Sequence, residues 1–334
     1  MSLKSSLISA VDQIDHNKPV NREIYSNATL NVENEFLLIL KPELLTEFIR
    51  PHFEDILSYI LEKIESHGLQ VSNARIINAS YLKAYDVMAR HYGVINAAAR
   101  NFDAMVTPEI TSNFKLNYGL EITEAPVAGA LELLNKGQMD AATLNALWKD
   151  CEIKRLAGGI YSGKVSYEGS ELYIVNGFHP PQLDHFIAEN RMIVTMNIAG
   201  NTSWETARNE LIGNTYPEKA SLESIRGALF QKYGKFGFDH VSYVLNSVHL
   251  SAGPLEGLIE LQRFNSTNNK EAEINSFVFG KMLTESFSEK QVQHILSNPT
   301  VNYQGQSISL FDLTEGKNSK KAIALIKQTF NNNS

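Results

Sequence analysis

The chain has almost no cysteine: one residue, Cys151, among 334. This excludes an intramolecular disulfide and a cysteine metal cage, and fits a reducing compartment. Cys151 is expected to be a packing residue. Long apolar runs are missing as well. No stretch approaches the roughly 20 consecutive apolar residues of a membrane span. The opening "MSLKSSLISAVDQIDHNK" lacks a basic start followed by an apolar core, so no secretory signal is read there. The expectation is a cytoplasmic protein with no membrane partner, with export by a signal-independent route as the alternative. Positive charge is in deficit, with 30 Lys and Arg against 37 Asp and Glu, a net charge of −7 and a pI near 5.8. Such a field does not draw in nucleic acid, so none is expected as a partner, and an anionic ligand must meet a local cationic cluster. What is present is ordinary for a globular chain: 43% hydrophobic residues, enough for one large domain or two smaller ones.

"FLLIL" at 36–40 reads as a buried strand stopped by Pro42. A helix follows, with Pro51 near its start, Phe53, Ile56, Leu57, Ile60, Leu61 and Ile64 on one face, and Gly68 beyond its end. "LQVSNARIIN" (69–78) reads as a second strand, with Ser80 capping a short helix through "YLKAYDVMARHY". Residues 93–178 differ in character. They hold a loop-like "TPEITSN", two helices ("GALELLNKG" and "AATLNALWKD") and a hairpin in "GKVSYEGSELYIV" with its turn at "EGS". Strand, helix and strand then resume: a short helix in "HPPQLDHFIAEN", a strand at 192–198, a helix in "SWETARNELIG" closed by Gly213, a strand at 241–248, and "GPLEGLIELQRF" as a helix with Pro254 in its first turn. The remainder reads as polar and mostly helical, ending in a disordered-looking "NNNS". Strands at 36–40, 69–78, 192–198 and 241–248, interleaved with helices, have the count and order of a ferredoxin-like β-α-β-β-α-β sheet.

One set of residues carries chemistry. Arg208, Thr215 and Arg226 precede Asn246 and His249 in "NSVHLSAG". Arginine's planar fork matches phosphate oxygens, a threonine hydroxyl adds a neutral donor, and an amide can bind a ribose hydroxyl. An isolated histidine is more often a hydrogen-bonded core residue than a catalyst, and the two arginines taken alone read as solvated side chains.

The stretches "ARNELIGNTYPEKASLESIRG" and "NSVHLSAGPLEGLIELQRF" resemble the nucleoside diphosphate kinase family. Its signature couples R-x-x-x-G-x-T-x-P and I-R-G to an N-x-x-H-x-S strand. "LLILKPELL" is similar to that family's first strand with its lysine-proline pair, and "ARHY" to its histidine-tyrosine pair. The resemblance implies an α+β, ferredoxin-like βαββαβ core over 34–92 and 179–265. Around it lie an N-terminal extension (1–33), an α+β insertion (93–178) and a helical C-terminal extension (266–334). It also implies an enzyme that moves the γ-phosphoryl group of ATP to a nucleoside diphosphate. His249 would be the nucleophile, Glu260, eleven positions on, the carboxylate orienting it, and Ser251 a helping hydroxyl. Lys41, Tyr92 and Arg226 would contact the transferring phosphate, Arg208 and Thr215 would hold the inner phosphates, and Asn246 with Lys41 would reach the sugar. Mg²⁺ would come with the nucleotide, held mainly by phosphates and water.

The chain departs from the pattern in several places. The family's base-stacking aromatic has Phe178, in "GFHPPQL", as its nearest counterpart. The nineteen residues 227–245, with Lys232, Lys235 and several aromatics, read as a long surface loop, with an extension of the phosphate or sugar pocket as the alternative. Ala252 stands where the family keeps an acid. The insertion is read as a lid or as a surface for a protein partner, and the assembly as a homodimer or higher homo-oligomer. Two other readings stay open: a phosphotransferase with a different acceptor, and a nucleotide-binding regulatory or interaction module.

Overall fold

In the computed structural model the described residues are 2–27, 31–242, 244–267 and 270–331. They form a mixed α/β structure of two compact units, Met1–Ala84 with Glu189–Ser334, and Tyr85–Ala188. Among the described residues no helix is long and apolar enough to cross a membrane. The terminal residues 332–334, in the stretch read as disordered, lie outside the described residues.

The first unit is built on one antiparallel sheet of β1 (Asn21–Ser26), β2 (Asn34–Leu40), β3 (Leu69–Asn78), β4 (Met192–Gly200) and β5 (Val248–Leu250). Their spatial order is β1-β3-β4-β2-β5. Strand side chains alternate between faces, and the alternation sorts these strands cleanly. Phe36, Leu38, Leu40, Val194, Met196, Ile198, Val248 and Leu250 join Ile56, Leu57 and Ile60 of the helix Phe53–Ser66 in one core. Leu37, Ile39, Thr195 and His249 fall on the other face, with Ile39 directly opposite both Thr195 and His249. The helix Pro254–Asn265 packs on β2. Its Gly257 allows a close approach, because a Cβ there would lie 2.9 Å from the Trp204 ring.

The last strand is not where its apolar pattern suggested. The expected strand over 241–248 is replaced by Val248–Leu250; Tyr243 lies outside the described residues. Ser247 sits in the left-handed region at φ 70, which an extended strand cannot pass through. Upstream, the spacer 227–245 is more than a surface loop. Its first part continues the helix Ile225–Gln231, and Phe236 and Phe238 bury in the main core.

Two other local expectations are corrected. The helix read over 81–92 is split into Ala79–Ala84 and Val87–His91, with Asp86 at φ 49 between them. It is Asn78, not Ser80, whose side chain accepts the Tyr81 N–H at 2.9 Å. The C-terminal region carries a hairpin beside its helices, Thr300–Tyr303 with Gln306–Ser309. Gln304 and Gly305 at its turn both have positive φ, as a two-residue type I′ turn requires.

The second unit holds a four-stranded sheet in the order Val127–Gly129, Ser170–Val175, Ile160–Tyr167, Ile153–Ala157; the first pair is parallel and the others antiparallel. The "TPEITSN" stretch, expected as loop, is the start of a helix, Pro108–Tyr118. Thr107 caps it, Pro108 stands at its first position, and Ile110 and Phe114, four apart, supply its buried stripe. The helices Ala130–Asn135 and Ala141–Asp150 and the hairpin with Glu168 and Gly169 at its turn follow the sequence reading.

A buried carboxylate gives the first unit a pH signature. Glu35, 5% exposed, accepts the Val278 N–H at 2.8 Å, at the start of the helix Val278–Ser286. Burial pushes its carboxyl up to about 7, against the opposing pull of that hydrogen bond and Lys281. With the folded-state value above the unfolded one, the native state holds the extra proton between the two, so stability falls as pH rises from about 4.5 to about 7. Glu35→Gln is expected to flatten this decline in urea-melt stability measured from pH 4.5 to 8; an unchanged slope would exclude Glu35 as its source.

Candidate active site

The register of β5 aims His249 at the face opposite the main core, since it pairs with Ile39 while its neighbours Val248 and Leu250 enter that core. The chain then turns at Gly253 into the helix Pro254–Asn265, which brings Glu260 over the same face. His249 Nε2 and Glu260 Oε1 are 2.9 Å apart, with Glu260 only 2% exposed and the His249 side chain 27% exposed. A carboxylate accepts, so the ring proton sits on Nε2 and the imidazole lone pair on Nδ1.

Lys41 follows β2 directly. Its backbone N–H donates to Ser247 O at 2.9 Å, and its Nζ donates to Asn246 Oδ1 at 2.5 Å. Burial holds the Lys41 ammonium below its ordinary range; Glu43 opposes this and the Arg226 charge adds to it. Asn246, 4% exposed, donates its Nδ2 to the Thr215 carbonyl at 3.2 Å. Glu43 Oε1 accepts the Ser247 N–H at 2.8 Å. The positive φ of Ser247 is therefore held by bonds to both its N–H and its carbonyl, which is how strained backbone persists.

Arg226, in the helix Ile225–Gln231, donates Nη1 to Gly213 O at 3.0 Å and Nη2 to Val248 O at 2.9 Å, tying the glycine turn to the residue before His249. Burial, with the charge of Arg208 beside it, lowers its guanidinium to about 10. Arg208 Nη1 donates to Glu315 Oε1 at 2.7 Å and to Ala252 O at 3.3 Å. Three cations thus gather in an acidic chain. Arg208 lies in a π-helix, Ala207–Ile212, whose wide turn is closed by Gly213 N–H on Arg208 O at 3.0 Å. Four residues separate Arg208 from Gly213, one more than in R-x-x-x-G, and the π-turn absorbs the surplus.

The remaining candidates have partners of their own. Ser251 is fully buried; its Oγ accepts the Leu37 N–H at 3.1 Å and donates to Leu37 O at 3.4 Å, which anchors β5 to β2. Thr215 is exposed and meets Asn246 through its backbone. Tyr92 belongs to the second unit, where its ring meets His179 and Phe186 at centroid distances of 5.6 and 6.2 Å. Phe178, also in the second unit, packs against Trp148 and Tyr161.

Three acids at the site were not singled out in the sequence: Glu43, Glu256 and Glu315. Glu256 has a local signal, standing four residues before Glu260 on one helix face. Burial and, after it, the charge of Glu260 raise its carboxyl to about 7 against the lowering effect of His249; Glu315 and Arg208 act more weakly. For a metal, Glu260 is engaged by His249 and Glu315 by Arg208, so the donor set suits a cation carried mainly by its own phosphates and waters.

No family model matches the chain, and no curated protein matches it in sequence. Among solved structures it is similar to a nucleoside diphosphate kinase from Encephalitozoon cuniculi (15% identity, 73% of this chain and 95% of that one, TM-score 0.35). It is also similar to a transition-state mimic of nucleoside-diphosphate kinase from Borrelia burgdorferi with bound vanadate and ADP (16%, 72% and 91%, TM-score 0.33). A third is an NDP kinase from Pyrobaculum aerophilum (18%, 72% and 98%, TM-score 0.34).

Ser251→Ala leaves the Leu37 N–H without its side-chain acceptor in a buried setting. A loss of about 1–3 kcal/mol in unfolding free energy is expected by urea titration; no loss would mean that β5 is anchored without this bond.

Proposed function

We propose that the first unit is a ferredoxin-like phosphotransferase core that moves the γ-phosphoryl group of ATP to a nucleoside diphosphate through a phosphohistidine at His249. The observation that carries this reading is the His249 Nε2 to Glu260 bond of 2.9 Å. It puts the lone pair on Nδ1 and leaves a buried carboxylate to stabilise the ring as it gains positive character. The sheet order supports the core assignment. With the edge strand β1 set aside, the strands lie second, third, first, fourth, the arrangement of a βαββαβ sheet.

In the forward half-reaction the Nδ1 lone pair forms a bond to the γ-phosphorus while the bond from phosphorus to the bridging oxygen breaks, and ADP leaves with that electron pair. In the second, a terminal oxygen of the incoming diphosphate attacks the phosphorus and the N–P electrons return to the imidazole. Arg226 and Lys41 neutralise charge on the transferring group, Arg208 and Thr215 hold the inner phosphates, and Asn246 with Lys41 reaches the sugar. Mg²⁺ bound to the phosphates would supply further charge neutralisation.

Incubation with γ-labelled ATP and Mg²⁺ is expected to give acid-labile, base-stable label that disappears in His249→Ala and is chased by nucleoside diphosphates. Label that no diphosphate removes would redirect the reading to another acceptor, and ATP binding without label would make the site a nucleotide-binding module. Glu256 adds a pH dependence. Its ionisation near 7 places negative charge beside the incoming phosphates, so KM for ATP is expected to rise as pH increases through 7. Glu256→Gln should flatten that rise; a profile identical to wild type would remove Glu256 from the site.

A further inference from the structure

Read from sequence, the C-terminal segment is an appendage, yet it is fastened to the candidate site. Asn34, at the start of β2, accepts both the N–H and the hydroxyl of Ser319 at 2.9 and 3.0 Å. Asn318 Oδ1 accepts the Trp204 N–H at 3.1 Å, at the start of the helix leading to Arg208. The Gly316 N–H donates to Ala252 O at 3.0 Å. The turn lies so close that a Cβ on Gly253 would stand 2.9 Å from Glu315 Cα. These contacts fix residues 315–319 against the start of β2, the turn that follows the His249 strand and the segment that carries Arg208.

On this anchored turn stands Glu315, whose Oε1 takes Arg208 Nη1 at 2.7 Å. The same nitrogen donates to Ala252 O, three residues beyond His249. A guanidinium carries five N–H donors in a rigid plane, two of them on Nη1. Glu315 and Ala252 O together use both. The edge formed by Nε and Nη2, with its two parallel N–H groups, makes no bond among the described residues. That edge is the fork that binds a phosphate bidentately. The arginine is held by its far nitrogen and presents its fork.

We infer that Glu315 is a positioning residue for nucleotide binding, orienting Arg208 so that its Nε–Nη2 edge receives the inner phosphates of a nucleoside di- or triphosphate. This rests on the phosphotransferase reading above. The C-terminal turn is then a working part of the site, and truncating the chain before residue 315 would remove one wall of it. Because Arg208 is assigned to phosphates that do not move, the loss of its orientation weakens binding in ground and transition states alike. KM rises and the rate at saturation stays.

The test measures ADP·Mg²⁺ binding by calorimetry and single-turnover labelling of His249 from γ-labelled ATP, in wild type, Glu315→Gln, Glu315→Ala and Arg208→Ala, and in the double variant. Expected is a Kd for ADP weakened about fivefold in Glu315→Ala and less in Glu315→Gln, which keeps an acceptor oxygen, with labelling at saturating ATP within about twofold of wild type. In the Arg208→Ala background the Glu315→Ala effect should vanish, a coupling that a merely structural role would not produce. Unchanged or tighter ADP binding in Glu315→Ala, or additive losses in the double variant, overturns the inference. Wild-type protein that neither binds ADP nor labels overturns the phosphotransferase reading and this inference with it.

Discussion

The candidate site depends on one constraint: every residue of β2 is buried, and strands bond to both of its edges. All seven residues of Asn34–Leu40 are buried; β4 bonds to one side over the full length and β5 to the other at Leu38–Leu40. Such a strand needs a packed layer above and below. The layer containing the helix Phe53–Ser66 covers Phe36, Leu38 and Leu40; the helix Pro254–Asn265 packs on the strand as well. His249 belongs to the register of this strand, and Glu260 to the helix packed on it. Their meeting follows from how β2 is covered, and the two halves of the pair cannot shift independently without opening the core.

The polar groups at the site are held in the same spirit. Lys41 is fixed by its backbone to Ser247 and by its ammonium to Asn246, Arg226 by two carbonyls, and Arg208 by a carbonyl and a carboxylate. Each cation gives some of its donors to the protein and is thereby oriented before any ligand comes. A preorganised charge needs little rearrangement when it meets a phosphate, and this is where most of the advantage of such sites lies. The burial that lowers Lys41 and Arg226 also strengthens their interaction with an arriving anion.

Much of this was legible in the sequence, because apolar alternation and punctuation by Pro and Gly act locally. β3 was read at its observed ends, and the helices after Pro51 and Pro254 were announced by residues within a turn of their starts. Lys41, Asn246, His249 and Glu260 could be named because the stretches around them resemble the nucleoside diphosphate kinase signature. The strand expected over 241–248 rests on Val241, Tyr243, Val244, Leu245 and Val248, an apolar pattern broken by Ser242, Asn246 and Ser247. Nothing in the letters says that Ser247 adopts positive φ, where it is held by bonds to Glu43, 204 residues away, and to Lys41. Glu315 lies 107 residues from Arg208, and pairing at that distance leaves no periodic trace. Sequence reports what neighbours along the chain decide, and the missing parts of the site were decided by neighbours in space.

The π-turn at Ala207–Ile212 separates two quantities that an α-helix locks together, chain length and direction. In an α-helix an extra residue rotates everything beyond it by about 100°, which would swing a glycine turn away from the arginine behind it. Here the added residue widens one loop of backbone, and the Gly213 N–H still closes on the carbonyl of Arg208. The segment between the Arg208 cation and the turn beside it can therefore change its count of residues while keeping its aim, so that spacing in the sequence is a looser guide to this site than the geometry it encodes.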